Sequence, residues 1–296
     1  MSSFQHRIGP NKVGLVGLLQ PFSDALKLLF KEIIIPKNAV FLIFSFAPLL
    51  SSIFGFFNWV LFPFGGLFAV ISDLNLGLLF FFSISSLHVY SIILAGWSSN
   101  SRYSFLGAVR SSAQLIAYDI AFSILMLNIV LITKTLNLTE IILYQKIIGS
   151  LGLYHFFLFI LFLICCVAET NRHPFDLPEA ESELVSGYNV EYSSINFALF
   201  FLGEYTSILF ISFLIVNLFW SGWITIFYYL KVLLIILFFI ILRAELPRYR
   251  YDQLMDLGWG VILPFSLYLF LWNFLFIFIF KIFSINFLIF SKIILY

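Results

Sequence analysis

YSSINFALFFLGEYTSILFISFLIVN (192–217) is twenty-six residues long and carries one charge, Glu204. As an α-helix it is about 39 Å long at about 1.5 Å per residue, more than the roughly 30 Å of a bilayer's hydrocarbon core. Similar runs occupy 41–62, 76–97, 112–133, 150–168, 224–242 and 259–280, so the sequence predicts seven membrane spans. The composition agrees: 62% of the 296 residues are hydrophobic, 10% are charged, and the mean hydropathy is +1.05. A soluble domain carries about 25% charged residues, so this chain could not wet its whole exterior. The expected fold is all-α, a polytopic transmembrane helix bundle with an N-terminal interfacial amphipathic helix.

The predicted organisation has three parts: an interfacial segment (1–40), a transmembrane bundle (41–280) with charged loops at 98–111, 169–191 and 243–258, and an apolar tail (281–296). Within 1–40, Leu18-Leu19, Phe22, Ala25-Leu26 and Leu28-Leu29-Phe30 recur at helical spacing, with Asp24, Lys27 and Lys31 between them. That face suits a membrane interface or another protein surface equally well. Spans alternate sides, so 1–40 and the three loops share one face. They hold eleven of the sixteen Lys and Arg, which places that face on the cytoplasmic or matrix side. The opening MSSFQHRIGPNK has no apolar core and is not a signal peptide. Forty Phe with abundant Ile and Leu suit an A+T-rich coding genome such as an organelle's.

The proposed spans make up about half the chain yet hold three of its thirty-one charged residues, Asp119, Glu204 and Lys231. A charge at the centre of a span costs about 2.5–3.5 kcal/mol on insertion scales. Lys231 lies near a span end and is expected to snorkel to the interface. Asp119 and Glu204 are too short for that, so protonation coupled to a neighbouring charge or water chain is the expected role. The loop AETNRHPFDLPEAESELVSGYNVEY (168–192) sets six acids, Glu169, Asp176, Glu179, Glu181, Glu183 and Glu191, against Arg172. Mutual repulsion favours protonation of some of them, and the interleaved Phe175, Leu177, Leu184 and Val185 are out of place in a merely solvated loop. Pro174 and Pro178 interrupt helix there. In 243–259, Arg243, Arg248 and Arg250 face Glu245, Asp252 and Asp256, either balancing the acidic loop or snorkelling at the membrane edge.

The adjacent Cys165 and Cys166 read as buried apolar residues, and His6, His88, His155 and His173 have no ligand spacing for zinc or haem. There is no dinucleotide fingerprint, P-loop or C-x-x-C, so no redox cofactor and no metal is expected on this chain, nor a nucleic-acid partner.

These motifs resemble subunit 1 of proton-pumping NADH:ubiquinone oxidoreductase, respiratory complex I. The similarity rests on 168–192, on RIGPNKVGLVGLLQPFSDALKLLFKE (7–32), on NLGLLFFFSISSLHVYSI with GWSSNS (75–101), and on RAELPRYRYDQLMDLGW (243–259). It runs from about residue 5 to about residue 275. The resemblance implies a mitochondrial inner-membrane subunit with its charged loops on the matrix side, forming the membrane part of the ubiquinone chamber and the start of the proton path. It implies Arg7, Asp24 and Lys27 at the quinone access region, with Arg172, Phe175 and Asp176 at the chamber. The proton path would hold Asp119, Glu169, Glu204, Glu179, Glu181 and Glu183, with Arg110, Arg243 and Arg248 as basic loop positions. Ubiquinone is the implied substrate, FMN and Fe–S clusters are expected on partner subunits, and the implied partners are the hydrophilic-arm quinone-site subunits, small membrane-arm subunits and lipid. The family has glutamate where Asp119 stands and usually lysine at the position of Gly260. It also has a transmembrane helix before the R-x-G-P-N motif, here expected from a separate polypeptide. A solute or ion transporter using Asp119 and Glu204, and the homologous subunit of a membrane-bound hydrogenase, are the competing readings.

Overall fold

The computed structural model describes residues 4–62, 74–176, 187–220 and 226–294, with side-chain surroundings given as far as 279 but not at 226. Among the described residues every regular element is helical. A short amphipathic helix α1 (Gln20–Phe30) precedes α2 (Phe41–Phe57), α3 (Gly77–Ser98) and α4 (Arg102–Thr133). Then come α5 (Leu138–Ile148), α6 (Leu151–Tyr154), α7 (Phe156–Glu169), α8 (Ser194–Phe219) and α9 (Ile226–Glu245). The last stretch is α10 (Tyr251–Asp256), a π-helical turn (Leu257–Ile262) and α11 (Leu263–Ile294).

Among the described residues six segments are long and apolar enough to cross a membrane: Phe41–Leu61, Gly77–Ser98, Arg102–Thr133, Ser194–Phe219, Phe227–Glu245 and Tyr251–Ile279. The seventh expected span, 150–168, is broken. Its backbone leaves the helical region at His155 (φ −118°, ψ 58°), and α7 keeps only 14 residues. That is about 21 Å of helix, short of a full hydrocarbon core.

Three boundaries differ from the sequence reading. The expected loop 98–111 is mostly the first three turns of α4, begun by Ser101, whose hydroxyl accepts the Ser104 N–H. The expected loop 243–258 contracts to 246–250, because α10 and the π turn run into α11. The tail beyond 280 continues α11 as far as Ile294.

A column of aromatic rings ties four helices of the bundle together. Phe122 of α4 stacks on Phe162 of α7 at 4.9 Å, Phe162 meets Phe219 of α8 at 5.0 Å, and Phe81 of α3 meets Phe122 edge-on at 5.8 Å. Phenylalanine suits this position: it fills space between helices without bringing a polar group that would need a partner. Elsewhere small residues let backbones approach. A methyl on Gly203 of α8 would stand 2.9 Å from the Ser51 carbonyl oxygen of α2, so the two helices touch backbone to backbone. Cys165 and Cys166 are buried free thiols in α7.

Helix α1 lies against α8, but Leu18, Leu19, Phe22, Leu26, Leu29 and Phe30 remain exposed on and around it. The Lys231 ammonium donates to the Trp220 carbonyl at 2.7 Å, closing the C-terminal end of α8 from α9.

Candidate functional site

The chain turns sharply where α7 ends. Asn171 takes a left-handed conformation (φ 50°), the Asn171 N–H donates to Ala168 O at 3.2 Å, and the Arg172 N–H reaches back to Val167 O at 3.4 Å. This is a left-handed helix stop that satisfies two terminal carbonyls. It drops Glu169, Arg172 and Asp176 onto α4 and α8 instead of letting them run on into water.

Gln114 of α4 holds the turn in place. Its amide nitrogen donates to Phe175 O at 2.8 Å and Ala168 O at 3.2 Å, with Asn171 Oδ1 at 3.4 Å. Phe175 packs between the Tyr118 ring (5.6 Å) and the Tyr249 ring (5.7 Å, nearly parallel). The Tyr249 N–H donates to Pro174 O at 3.2 Å, so the loop from α7 and the loop before α10 are stitched together.

Two groups of charges result. In the first, within the membrane spans, Arg172 faces Glu204 of α8 with Nη2 and Oε2 4.0 Å apart. The Tyr188 hydroxyl donates to Glu204 Oε1 at 3.1 Å, and the Arg172 guanidinium lies over the Tyr205 ring, 4.8 Å from its centroid. Arg172 is only 5% exposed, and its Nε and Nη2 make no hydrogen bond among the described residues. Across the loop, Ser85 of α3 donates to Asp119 Oδ1 at 3.2 Å, and Asp119 lies within electrostatic reach of Glu169. Glu169 Oε2 is buried and has no hydrogen-bond partner among the described residues. The two carboxyl groups thus share one apolar neighbourhood between α3, α4 and α7.

The second group lies at the loop surface. Asp176, 3% exposed, accepts from His173 Nε2 at 3.0 Å and from Arg248 Nη2 at 3.4 Å. Burial, followed by Arg248, Arg243 and Arg172, pushes the His173 imidazole down from its ordinary 6.5 to about 4. The nearby carboxylate alone would have raised it, but burial and three guanidinium groups outweigh that attraction. The ring is therefore neutral near pH 7 and donates to Asp176 as an ordinary N–H.

The structure thus brings together seven of the expected residues: Asp119, Glu169, Arg172, Phe175, Asp176, Glu204 and Arg248. Arg243 ends α9 within reach of His173, and Arg110 lies over the Tyr251 ring at 5.5 Å. Arg7, Asp24 and Lys27 stay exposed on the N-terminal segment and do not join the cluster; Asp24 accepts from Gln20 at 3.2 Å. Glu179, Glu181 and Glu183, with Leu177, Pro178, Leu184 and Val185, lie outside the described residues. Gln114, Tyr188, Ser85 and Tyr205 were not anticipated. Gln114 alone left a trace in the sequence, as an amide inside an apolar span. Among the described residues no group of three or more His, Cys, Asp or Glu could hold a metal ion.

A family model described as NADH dehydrogenase matches residues 1–274. The chain is 48% identical over 281 residues to NADH-ubiquinone oxidoreductase chain 1 of Chondrus crispus, covering 90% of this chain and 85% of that one. It is 49% identical over 281 residues to the protein of the same name from Triticum aestivum, covering 90% and 86%. An NADH-quinone oxidoreductase subunit of Rickettsia typhi is 50% identical over 278 residues, covering 89% of this chain and 82% of that one.

Proposed function

Because the chain belongs to the NADH dehydrogenase family, as a subunit 1 of the multi-subunit NADH-quinone oxidoreductase, we propose that it forms the membrane part of the ubiquinone chamber and holds the first carboxylates of the proton path. In this reading it is a multi-pass protein of the mitochondrial inner membrane with its charged loops toward the matrix. Its partners are the hydrophilic-arm quinone-site subunits and the small membrane-arm subunits. The flavin and iron–sulfur clusters of those partners supply the electrons, and this chain supplies binding surface, charge and proton positions.

The observation that carries the reading is the juxtaposition of Glu204, Arg172 and Tyr188 with the linked pair Asp119 and Glu169 under one folded loop. A quinone held beside Arg172, Phe175 and Asp176 becomes more negative as it is reduced, and a buried guanidinium answers added negative charge strongly where the dielectric is low. Arg172 drawn toward the quinone leaves Glu204 less compensated, so Glu204 takes up a proton. Arg172 returned to Glu204 favours its release. Tyr188 keeps one oxygen of Glu204 hydrogen-bonded throughout, and Ser85 does the same for Asp119. A proton moving on to the Asp119 and Glu169 pair leaves the loop for the interior of the bundle. Glu179, Glu181 and Glu183 feed the same path from the loop side. Arg7, Asp24 and Lys27 guide the quinone headgroup at the membrane surface.

The test is made on the assembled complex in sealed vesicles, with NADH:quinone reductase rate and proton uptake measured together. Glu204→Gln and Asp119→Asn keep size and lose the titrating oxygen, so each is expected to abolish pumping while some quinone reduction survives. Normal proton-to-electron stoichiometry in both variants would overturn the assignment.

A further inference from the structure

At the end of the bundle away from the charged loops, two adjoining cavities of about 310 and 270 Å³ share His155, Asn273 and Phe276. The first continues to Lys134 and Tyr144, the second to Leu158, Leu269 and Trp272. Together they make one groove between the C-terminal end of α4, the break before α7, and α11. None of its residues belongs to the charged cluster described above.

Two features make the groove more than a gap between side chains. Asn273 lines both halves while 8% exposed, and its Nδ2 donates to Asn128 Oδ1 of α4 at 3.0 Å, a bond in which its own carbonyl oxygen takes no part. A polar side chain committed this deeply suits a site that receives a ligand with both apolar and polar parts. The second feature is length. Helix α7 begins only at Phe156, so at this edge the bundle offers a wall about 21 Å tall to a core about 30 Å thick. Lipid beside a short wall must thin or sink its headgroup, and polar residues at the edge decide which headgroup is welcome.

The edge is basic. Lys134 follows the last turn of α4 in a left-handed conformation (φ 62°) and is exposed, as a cation beside a helix C-terminus should be. His155 stands at the helix break and can donate a hydrogen bond whether or not it is charged. Among the described residues no carboxylate lines the groove; Glu140 shares a separate cleft with Lys134 on its other side. Tyr144 at the rim and Trp272 deeper in have the amphipathic rings that favour headgroup level and the boundary beneath it. We propose that this groove seats one anionic phospholipid, its phosphate at Lys134 and His155 and one acyl chain running past Phe276 and Asn273 to Leu158 and Leu269. The lipid fills the shortfall left by α7 and joins α4 to α11 on the side opposite the loops.

The experiment uses the assembled complex in phosphatidylcholine vesicles containing a phosphatidylglycerol with a photoactivatable diazirine on its acyl chain. A parallel set carries the same label on phosphatidylcholine. After illumination, peptides covering 154–158 and 269–276 are expected to carry several-fold more label from phosphatidylglycerol than from phosphatidylcholine. Lys134→Gln should bring the two to the same level, and Lys134→Arg, which keeps the charge and controls for assembly, should restore the difference. Equal labelling by both lipids, an unchanged preference in Lys134→Gln, or no labelling of these peptides because a partner subunit covers the groove would each overturn the proposal.

Discussion

Gln114→Met removes the donor that holds the loop after α7 and leaves the volume of the side chain nearly unchanged. In the native chain one amide serves Phe175 O at 2.8 Å and Ala168 O at 3.2 Å, and both residues are buried. Methionine donates to neither. Ala168 O keeps its bond from the Asn171 N–H, so Phe175 O alone is left without its donor, at about 1–3 kcal/mol, while the near-isosteric change in packing adds less than about 1.5 kcal/mol. Water reaching the loop would relieve part of this, which makes about 1 kcal/mol the working minimum. Local opening of residues 168–176 should then become about 5-fold more frequent. Hydrogen–deuterium exchange on the assembled complex reads this directly, with peptides covering 168–176 compared against peptides from α2 (Phe41–Phe57). Faster exchange confined to the loop, with a matching fall in quinone reductase rate, is the expected outcome. Unchanged protection in 168–176 would show that the stacking of Phe175 and the stitch to Tyr249 hold the loop without Gln114, and the anchoring role would be wrong.

A methyl on Gly107 would stand 2.8 Å from the Gly187 backbone, so Gly107→Ala should cost about 1–3 kcal/mol and push Tyr188 off Glu204; the check is a lower melting point of the complex together with a lower ratio of protons to electrons. His173→Gln tests the neutral imidazole. The folded ring titrates near 4 against 6.5 in the unfolded chain, so folding resists protonation: the contribution is intact above 6.5 and is lost as pH falls through 4. The variant should therefore flatten the loss of thermal stability between those two values, and an acid limb as steep as the wild type's would refute the argument. Lys231→Met strips the charged donor from the Trp220 carbonyl and should destabilise by about 1.5–3 kcal/mol, seen as a lower denaturation midpoint in detergent, with Lys231→Arg recovering part of it.

The bundle was legible in the sequence because bilayer depth imposes one plain requirement, a long run without charge, and 192–217 meets it with a single exception. The same criterion hid the first three turns of α4. Arg102 and Arg110 lie on a helix that simply continues into the apolar run, and hydropathy marks apolar length rather than where a helix starts. It also hid α5 and the break at His155, since an apolar segment reads alike whether it is continuous or kinked. Asp119 and Glu204 stood out because their burial is costly. Gln114, Ser85 and Tyr188 did not, because a neutral polar side chain inside a span costs little and its partner lies far off in sequence. The bond made by Lys231 was hidden for a related reason. Its acceptor is the last carbonyl of a neighbouring helix, and only the packing of α9 on α8 reveals it.

The backbone contact between α2 and α8 has a consequence for how far this protein can vary. Gly203, whose missing side chain permits the contact, comes immediately before Glu204. Any larger residue at 203 would act as a spacer between the two helices and carry the carboxylate sideways with the backbone it is attached to. The lateral position of Glu204 is thus gauged by the absence of atoms one residue earlier. A substitution that looks like a minor change of packing there would mistune the proton chemistry first.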